Sequence, residues 1–343
     1  MLYSQAVTVR FDRTLDDGTR VYTGTLDPFW TIGVVPHGGY VMGCILEAVL
    51  HSQSTTGHPD PIHISSYFLV PSRPEAYEVH IRQLRTGRRF SNLIADFFQK
   101  GQLNLTSHVI VGTLPDLTAG SGDRSSPTMI PPHPFATRIP FRQHPSISES
   151  FLLETKTTPR SLLKTSFDRT IEERFLAKAI APRENDGGFD RAEWYEMLGE
   201  EKGVRLSLPA IAFLADMGRS PPELFPEGDR PGLSWFPTLT LALEFKVKLS
   251  SLPHYISPHT FGIFSTGRFI HQGRHDLRSE VWTAPSAIGE KGVLNPDDEE
   301  WRDKMFCVAV SNQVALTVPI DVNRRKASTQ SSAQANGNRL PKL

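Results

Sequence analysis

The alternation of apolar and polar positions along this chain runs through one pattern twice. Residues 6–12 (AVTVRFD) and 20–26 (RVYTGTL) have the β-branched and aromatic content of strands, and Asp16-Asp17-Gly18 between them is an Asp-Gly hairpin signal. His37-Gly38-Gly39-Tyr40 then opens an apolar run from Val41 to Leu50. Helical spacing puts Val41, Ile45, Ala48 and Val49 on one face and Met42, Leu46 and Leu50 on another. Only Glu47 interrupts the run, and a helix apolar nearly all round must be buried on most sides. An extended segment at Ile64–Val70 follows, and Tyr77–Leu84, Ser91–Gln99 and Leu103–Leu114 read as strands, the last two flanking a Lys100-Gly101 turn.

The second half repeats the scheme. Leu208–Met217 is a short apolar helix with Pro209 near its start, where a missing N–H costs the helix nothing. Thr238–Leu249 is extended, and strand regions at Gly267–Trp282 and Met305–Val318 complete the half. One buried helix with long antiparallel strands, used twice, predicts an α+β fold of two units, with a site where they meet. Residues 1–114 make the first unit and 165–322 the second. Between them, 115–142 hold Gly, Ser, Thr and many prolines, so we read 115–164 as a linker. Thr165–Asp190 shows no clear pattern, and Pro285–Asp303 reads as a polar hairpin loop. The tail 323–343 is polar, lacks aromatics and is predicted disordered.

Bulk properties then narrow the class. A length of 343 residues suits two units. Hydrophobic content of 38% with 22% charged residues is that of a soluble globular protein. Lys+Arg 37 against Asp+Glu 37 leaves no net charge, which argues against a nucleic-acid partner, since phosphate neutralisation needs a basic excess. No apolar run approaches the roughly 18–20 residues of a membrane span, and the N-terminus lacks the basic-then-apolar order of a secretory signal. Cys44 and Cys307, one in each half, suit reduced thiols better than a disulfide framework. The expectation is a soluble intracellular protein.

Motifs for several chemistries are missing: there is no G-x-S-x-G elbow, Walker loop or dinucleotide glycine fingerprint. His271 and His275 have the i,i+4 spacing that binds zinc on a helix, but Phe269-Ile270, Gly273 and Leu277 around them favour a strand and turn. We expect no metal and no cofactor. Cys44, inside the apolar helix, reads as a small buried hydrophobe.

Six stretches, three in each half, carry a resemblance. P-H-G-G-Y-V-M-G-C-I-L-E-A, S-S-Y-F-L-V-P and L-R-T-G-R-R-F-S are similar to the first half of the double-hotdog acyl-CoA thioesterases of the thioesterase II type and their thioesterase-like relatives. In the second half, A-F-L-A-D-M, P-T-L-T-L-A-L-E-F and V-A-V-S-N-Q-V-A-L resemble that family's other motifs. The resemblance implies a double hotdog, two antiparallel sheets each wrapping a central helix. It also implies an acyl-CoA or acyl-carrier substrate, no cofactor, and a catalytic Asp216, Thr238 and Gln313. Relatives often carry Asp-His shortly after the catalytic threonine, where this chain has Thr240-Leu241. Release of a product from a carrier protein, a binding-only hotdog and assembly as a homodimer all remain open.

Chemistry agrees with those nominations. A carboxylate accepts a proton from water, while a hydroxyl and a carboxamide hold that water in line with a carbonyl. Gln313 amid Val308, Ala309, Val314 and Ala315 needs polar partners if its strand is buried. Gly38 and Gly39, with Tyr40, open a buried helix whose free N–H groups can stabilise an oxyanion, although the glycines equally permit tight packing. His108 lies near the first-half counterpart of Gln313, which suggests one site per chain. Arg88-Arg89 and Arg274 follow turn glycines and read as surface residues or as contacts for phosphates. The chain ends Pro341-Lys342-Leu343, similar to the Ser-Lys-Leu peroxisomal address, so delivery to the peroxisome stands beside the cytoplasm as an expectation.

Overall fold

A computed structural model describes residues 1–117, 127–131, 133–152, 162–180, 187–201 and 203–322. The apolar run forms helix α2 (Gly38–Gln53), preceded by a single turn, α1 (Tyr3–Ala6). The N-terminal half also holds β1 (Arg10–Thr14), β2 (Arg20–Thr25), a ribbon of β3 (Thr31–Ile32) and β4 (Val35–Pro36), then β5 (Asp60–Phe68), β6 (Ala76–Thr86), β7 (Ser91–Gln99) and β8 (Gln102–Gly112). The C-terminal half runs β9 (Phe151–Leu152), β10 (Leu163–Phe167), α3 (Arg169–Ile180), β11 (Phe189–Met197), α4 (Leu208–Ala215), β12 (Ser234–Trp235) and β13 (Thr238–Phe245). It ends with β14 (Thr260–Gly267), β15 (Ile270–His271), β16 (Arg274–Thr283), β17 (Cys307–Leu316) and β18 (Val318–Pro319).

The two sheets expected from the repeat are one continuous sheet of 14 strands, ordered β1-β2-β6-β7-β8-β5-β13-β17-β16-β14-β11-β10-β9, with β15 on β16. The halves join through antiparallel pairing of β5 with β13, where Ile64 faces Leu243 and Ser65 faces Ala242. Each is the first strand of the main sheet after its half's helix, and pairing them removes two edges whose N–H and C=O groups would otherwise need water. The repeat survives in the order of neighbours, β5-β8-β7-β6 in one direction and β13-β17-β16-β14 in the other.

Helix α2 packs on β2, β5, β6 and β7, and α4 on β16 and β17. The two helices also pack on each other, antiparallel, because a side chain at Gly39 would strike Ala212, Phe213 and Asp216 while one at Gly43 would strike Pro209. These glycines, four residues apart, give α2 a flat face that lets the backbones approach. Tyr3 closes the top of this contact, its hydroxyl donating to the Pro209 carbonyl at 2.8 Å. One apolar core thus spans both halves, from Tyr22 and Leu93 to Phe213 and Val281.

Three expectations shift. Tyr3–Ala6 is helical, so the first strand begins at Arg10 and not at residue 6. Strand β14 and the pair β10 and β11 were not separated from their surroundings, since Gly262 and the mixed run Phe189-Asp190-Arg191 interrupt the alternation that marks a strand. Within 115–164, Ile139 and Phe141 are fully buried against Trp194 and Trp301, so two apolar side chains between prolines suffice to dock that stretch. Its remainder, 118–126, 132 and 153–161, and the tail 323–343 with Pro341-Lys342-Leu343, lie outside the described residues. Residues 285–303 do connect the neighbouring strands β16 and β17, anchored by buried Trp301 and Ile288. No helix among the described residues is long and apolar enough to cross a membrane.

Candidate active site

Asp216, Thr238 and Gln313 converge although they come from three elements. Asp216 is the residue at which α4 ends, and its N–H still reaches the Phe213 carbonyl at 3.1 Å. Antiparallel packing brings that end of α4 to the start of α2. There the Gly39 N–H, one of the orphan donors of a first turn, gives a 2.6 Å hydrogen bond to Asp216 Oδ2. The carboxylate therefore meets the positive end of one helix dipole while sitting at the negative end of another. Its side chain is only 6% exposed.

Gln313 lies on β17 opposite Leu241, on the inner face of the sheet. Its Nε2 donates to Asp216 Oδ1 at 2.8 Å and to Thr238 Oγ1 at 2.5 Å. Thr238 reaches it through a local irregularity. Counting back from Leu241, regular alternation would turn Thr238 outward. A bulge between Thr238 and Thr240 puts Thr238 opposite Ala315 while Thr240 faces Val314, and so returns Thr238 to the inner face. Thr240 faces the other way, and the two threonines do not share a face. Because Thr238 accepts from Gln313, its own hydroxyl proton is left to point at a ligand.

Burial raises the Asp216 pKa from 3.8 to about 7, against the opposing hydrogen bonds from Gly39 and Gln313. Desolvation wins, and the group becomes a base whose affinity for a proton matches neutral solution. His37 caps α2, its Nδ1 accepting from Gly39 N–H at 3.1 Å. That nitrogen lies 3.4 Å from Asp216 Oδ2, a contact we read as two acceptors sharing one donor, not as an ion pair.

These residues stand at the wall of a cavity of about 670 Å³, lined by Asp216, Thr238, Gln313, His37 and Gly38 among others. Apolar groups dominate the rest of it: Ile32 and Val34 at the β3–β4 ribbon, Phe68 and Leu69 at the end of β5, Trp235 and Val318 on the β12–β18 ribbon. Both small ribbons stand apart from the main sheet. N- and C-terminal halves therefore contribute to one site.

The residues expected at the oxyanion position separate. Gly38 lines the cavity, and its N–H has no hydrogen-bond partner among the described residues. The Gly39 N–H is already given to Asp216. Tyr40 is fully buried away from the cavity, its hydroxyl donating to the Ala6 carbonyl at 2.9 Å and accepting from the Asp27 N–H at 3.0 Å. His108 is exposed and pairs with Ser65 on the outer face. Arg88-Arg89 lie by the far ends of β6 and β7, away from Phe68, and Arg274 is exposed on the outer face, flanking buried His275. His271 and His275 sit on the two strands of a β15–β16 hairpin, and no group of metal-binding side chains is found among the described residues. Cys44 is fully buried in α2, which pushes its thiol up to about 12.

One supporting residue went unnoticed in the sequence. Ser311, two positions before Gln313 on the same strand face, donates from Oγ to the Ala215 carbonyl at 3.1 Å and so holds the end of α4 that carries Asp216. The alternation V-S-N-Q was the available signal.

Comparison with known proteins agrees with this architecture. Residues 26–114 match the acyl-CoA thioesterase N-terminal domain and residues 148–286 the acyl-CoA thioesterase C-terminal domain. The chain belongs to the two-domain acyl-CoA thioesterase family. Among solved structures it is similar to an acyl-CoA thioesterase II, TesB2, from Mycobacterium marinum, at TM-score 0.60 and 13% identity, covering 92% of this chain and 98% of that one. It is equally similar to a hot dog fold protein of unknown function from Alicyclobacillus acidocaldarius, at TM-score 0.60 and 14% identity, covering 92% and 97%. A tesB protein of Mycobacterium avium subs paratuberculosis follows at TM-score 0.54 and 11% identity, covering 92% and 98%. No curated protein matches the chain.

Proposed function

We propose that this protein hydrolyses acyl thioesters, acyl-CoA foremost, by direct attack of water with no acyl-enzyme. The observation that carries the reading is the Gln313 carboxamide, which ties Asp216 and Thr238 together at the wall of a largely apolar cavity. A water there donates one proton to the Asp216 carboxylate, and the Thr238 hydroxyl fixes its second contact. The thioester carbonyl takes the attack of that water. The Gly38 N–H faces the oxygen on which negative charge develops, the arrangement in which a preorganised donor contributes most. Collapse of the tetrahedral intermediate breaks the C–S bond, and the proton taken by Asp216 returns to the leaving thiolate. No covalent nucleophile is needed, since a thioester carbonyl is already electrophilic. Cys44, buried with a thiol held up at about 12, is unsuited to that part.

Thiol release from a panel of acyl-CoAs, followed with a thiol reagent, tests the reading. Turnover that disappears in Gln313→Ala supports it. Binding without thiol release on any acyl-CoA or acyl-carrier substrate refutes it.

A further inference from the structure

We infer that the cavity selects acyl groups that carry no carboxylate, and that Glu223 determines this specificity. The inference rests on the thioester-hydrolase reading of the same site and names its substrate class. Among the described residues lining the cavity there are two carboxylate side chains, Asp216 and Glu223, and no lysine or arginine. Glu223 belongs to a short 3-10 turn, Pro221–Leu224, between α4 and β12. Buried Pro221 and Pro222 precede it, and its N–H is fixed to the Ser220 carbonyl at 2.9 Å, so the turn holds it on the cavity wall. Its carboxylate has no ion pair or hydrogen bond to any described residue.

The arginines adjacent in sequence are committed elsewhere. Arg219 is drawn to buried Glu193, 3.4 Å away, and lies over the Phe167 ring at 5.2 Å. Arg230 donates to the Phe225 carbonyl at 2.6 Å. An acyl chain ending in a methyl group replaces water against Val34, Leu69, Trp235 and Phe236 and gains from that burial. A chain ending in a carboxylate brings a further anion to a wall that carries Glu223 and, once ionised, Asp216, with no lysine or arginine among the described lining residues, which is a repulsive element of the kind that sets specificity. With the thioester at Asp216, Thr238 and Gln313, Glu223 is the other carboxylate on the described lining for an acyl group to meet.

The test uses the full-length protein and two acyl-CoAs of equal carbon count, one ending in a methyl group and the other in a carboxylate. The methyl-ended thioester is expected to have the higher kcat/KM, by a factor on the order of a hundred. Glu223→Gln should shrink that ratio about tenfold or more, and Glu223→Arg further still, by removing and then reversing the repulsion. A ratio within about threefold in the wild type, or one unmoved in both variants, overturns the inference. Non-hydrolysable thioether analogues of the same pair, titrated by calorimetry, decide it without turnover: tighter binding of the methyl-ended analogue supports it and equal affinity overturns it. Absence of turnover on both thioesters would count against the hydrolase reading alone.

Discussion

Asp216→Asn should separate activity from stability, because the same burial that makes Asp216 a base costs the folded protein. Burial lifts its pKa from 3.8 to about 7. Between those values the folded protein binds a proton that the unfolded chain has released, so stability falls as pH rises through that window and levels off above it. A displacement of roughly three units corresponds to about 4 kcal/mol once the group is ionised in both states. At pH 5 the same relation gives about 1.5 kcal/mol, so roughly 2.5 kcal/mol of the penalty is added between pH 5 and pH 8. The asparagine carries no charge and escapes this term. It keeps an oxygen for the Gly39 N–H but presents an amide to Gln313 Nε2 in one orientation, a loss of about 1 kcal/mol that is the same at both pH values. Urea unfolding of both proteins at the two pH values measures the difference. The variant should gain about 2–3 kcal/mol relative to wild type on going from pH 5 to pH 8. A gap that does not change with pH would refute the claim that Asp216 is buried, desolvated and titrating near neutrality.

The helix contact makes a second prediction: Gly39→Ala places a Cβ 2.8 Å from the Ala212 carbonyl oxygen and 2.9 Å from Phe213 Cα, both backbone atoms. It should destabilise the fold by about 1–3 kcal/mol in thermal melts and lower kcat by displacing Asp216. Ser311→Ala removes the hold on the Ala215 carbonyl, so kcat should fall about tenfold with KM little changed and stability should drop by about 1 kcal/mol. Unchanged kcat would show that the end of α4 needs no such hold. Fusing residues 332–343 to a fluorescent protein tests the proposed peroxisomal address, and diffuse signal apart from a peroxisomal marker would dismiss it.

Much of this site was legible in the sequence because the elements carrying it are strongly periodic. The apolar runs gave α2 and α4, and Gln313 stood out as a carboxamide among aliphatic neighbours. Geometry between elements was not legible. Thr238 reaches Gln313 only through a bulge, and nothing in P-T-L-T-L marks where alternation slips. That Gly39 gives its N–H to Asp216, 177 positions away in sequence, depends on how the two helices are packed. Tyr40 follows two site glycines in the motif, yet helical rotation turns its ring into the core. The single sheet was hidden because β5 and β13 carry ordinary strand patterns, and an edge that pairs looks like one that does not. Buried Ile139 and Phe141 were masked by the prolines around them.

The pH dependence of kcat/KM for acyl-CoA hydrolysis tests the central claim most directly, since it reads the free enzyme's base. With Asp216 as that base, activity should rise with pH along a limb of unit slope bending near 7, and Asp216→Asn should lose about a hundredfold or more in kcat while binding a non-hydrolysable analogue normally. A flat profile between pH 5 and pH 8, or an asparagine variant with wild-type kcat, would contradict it.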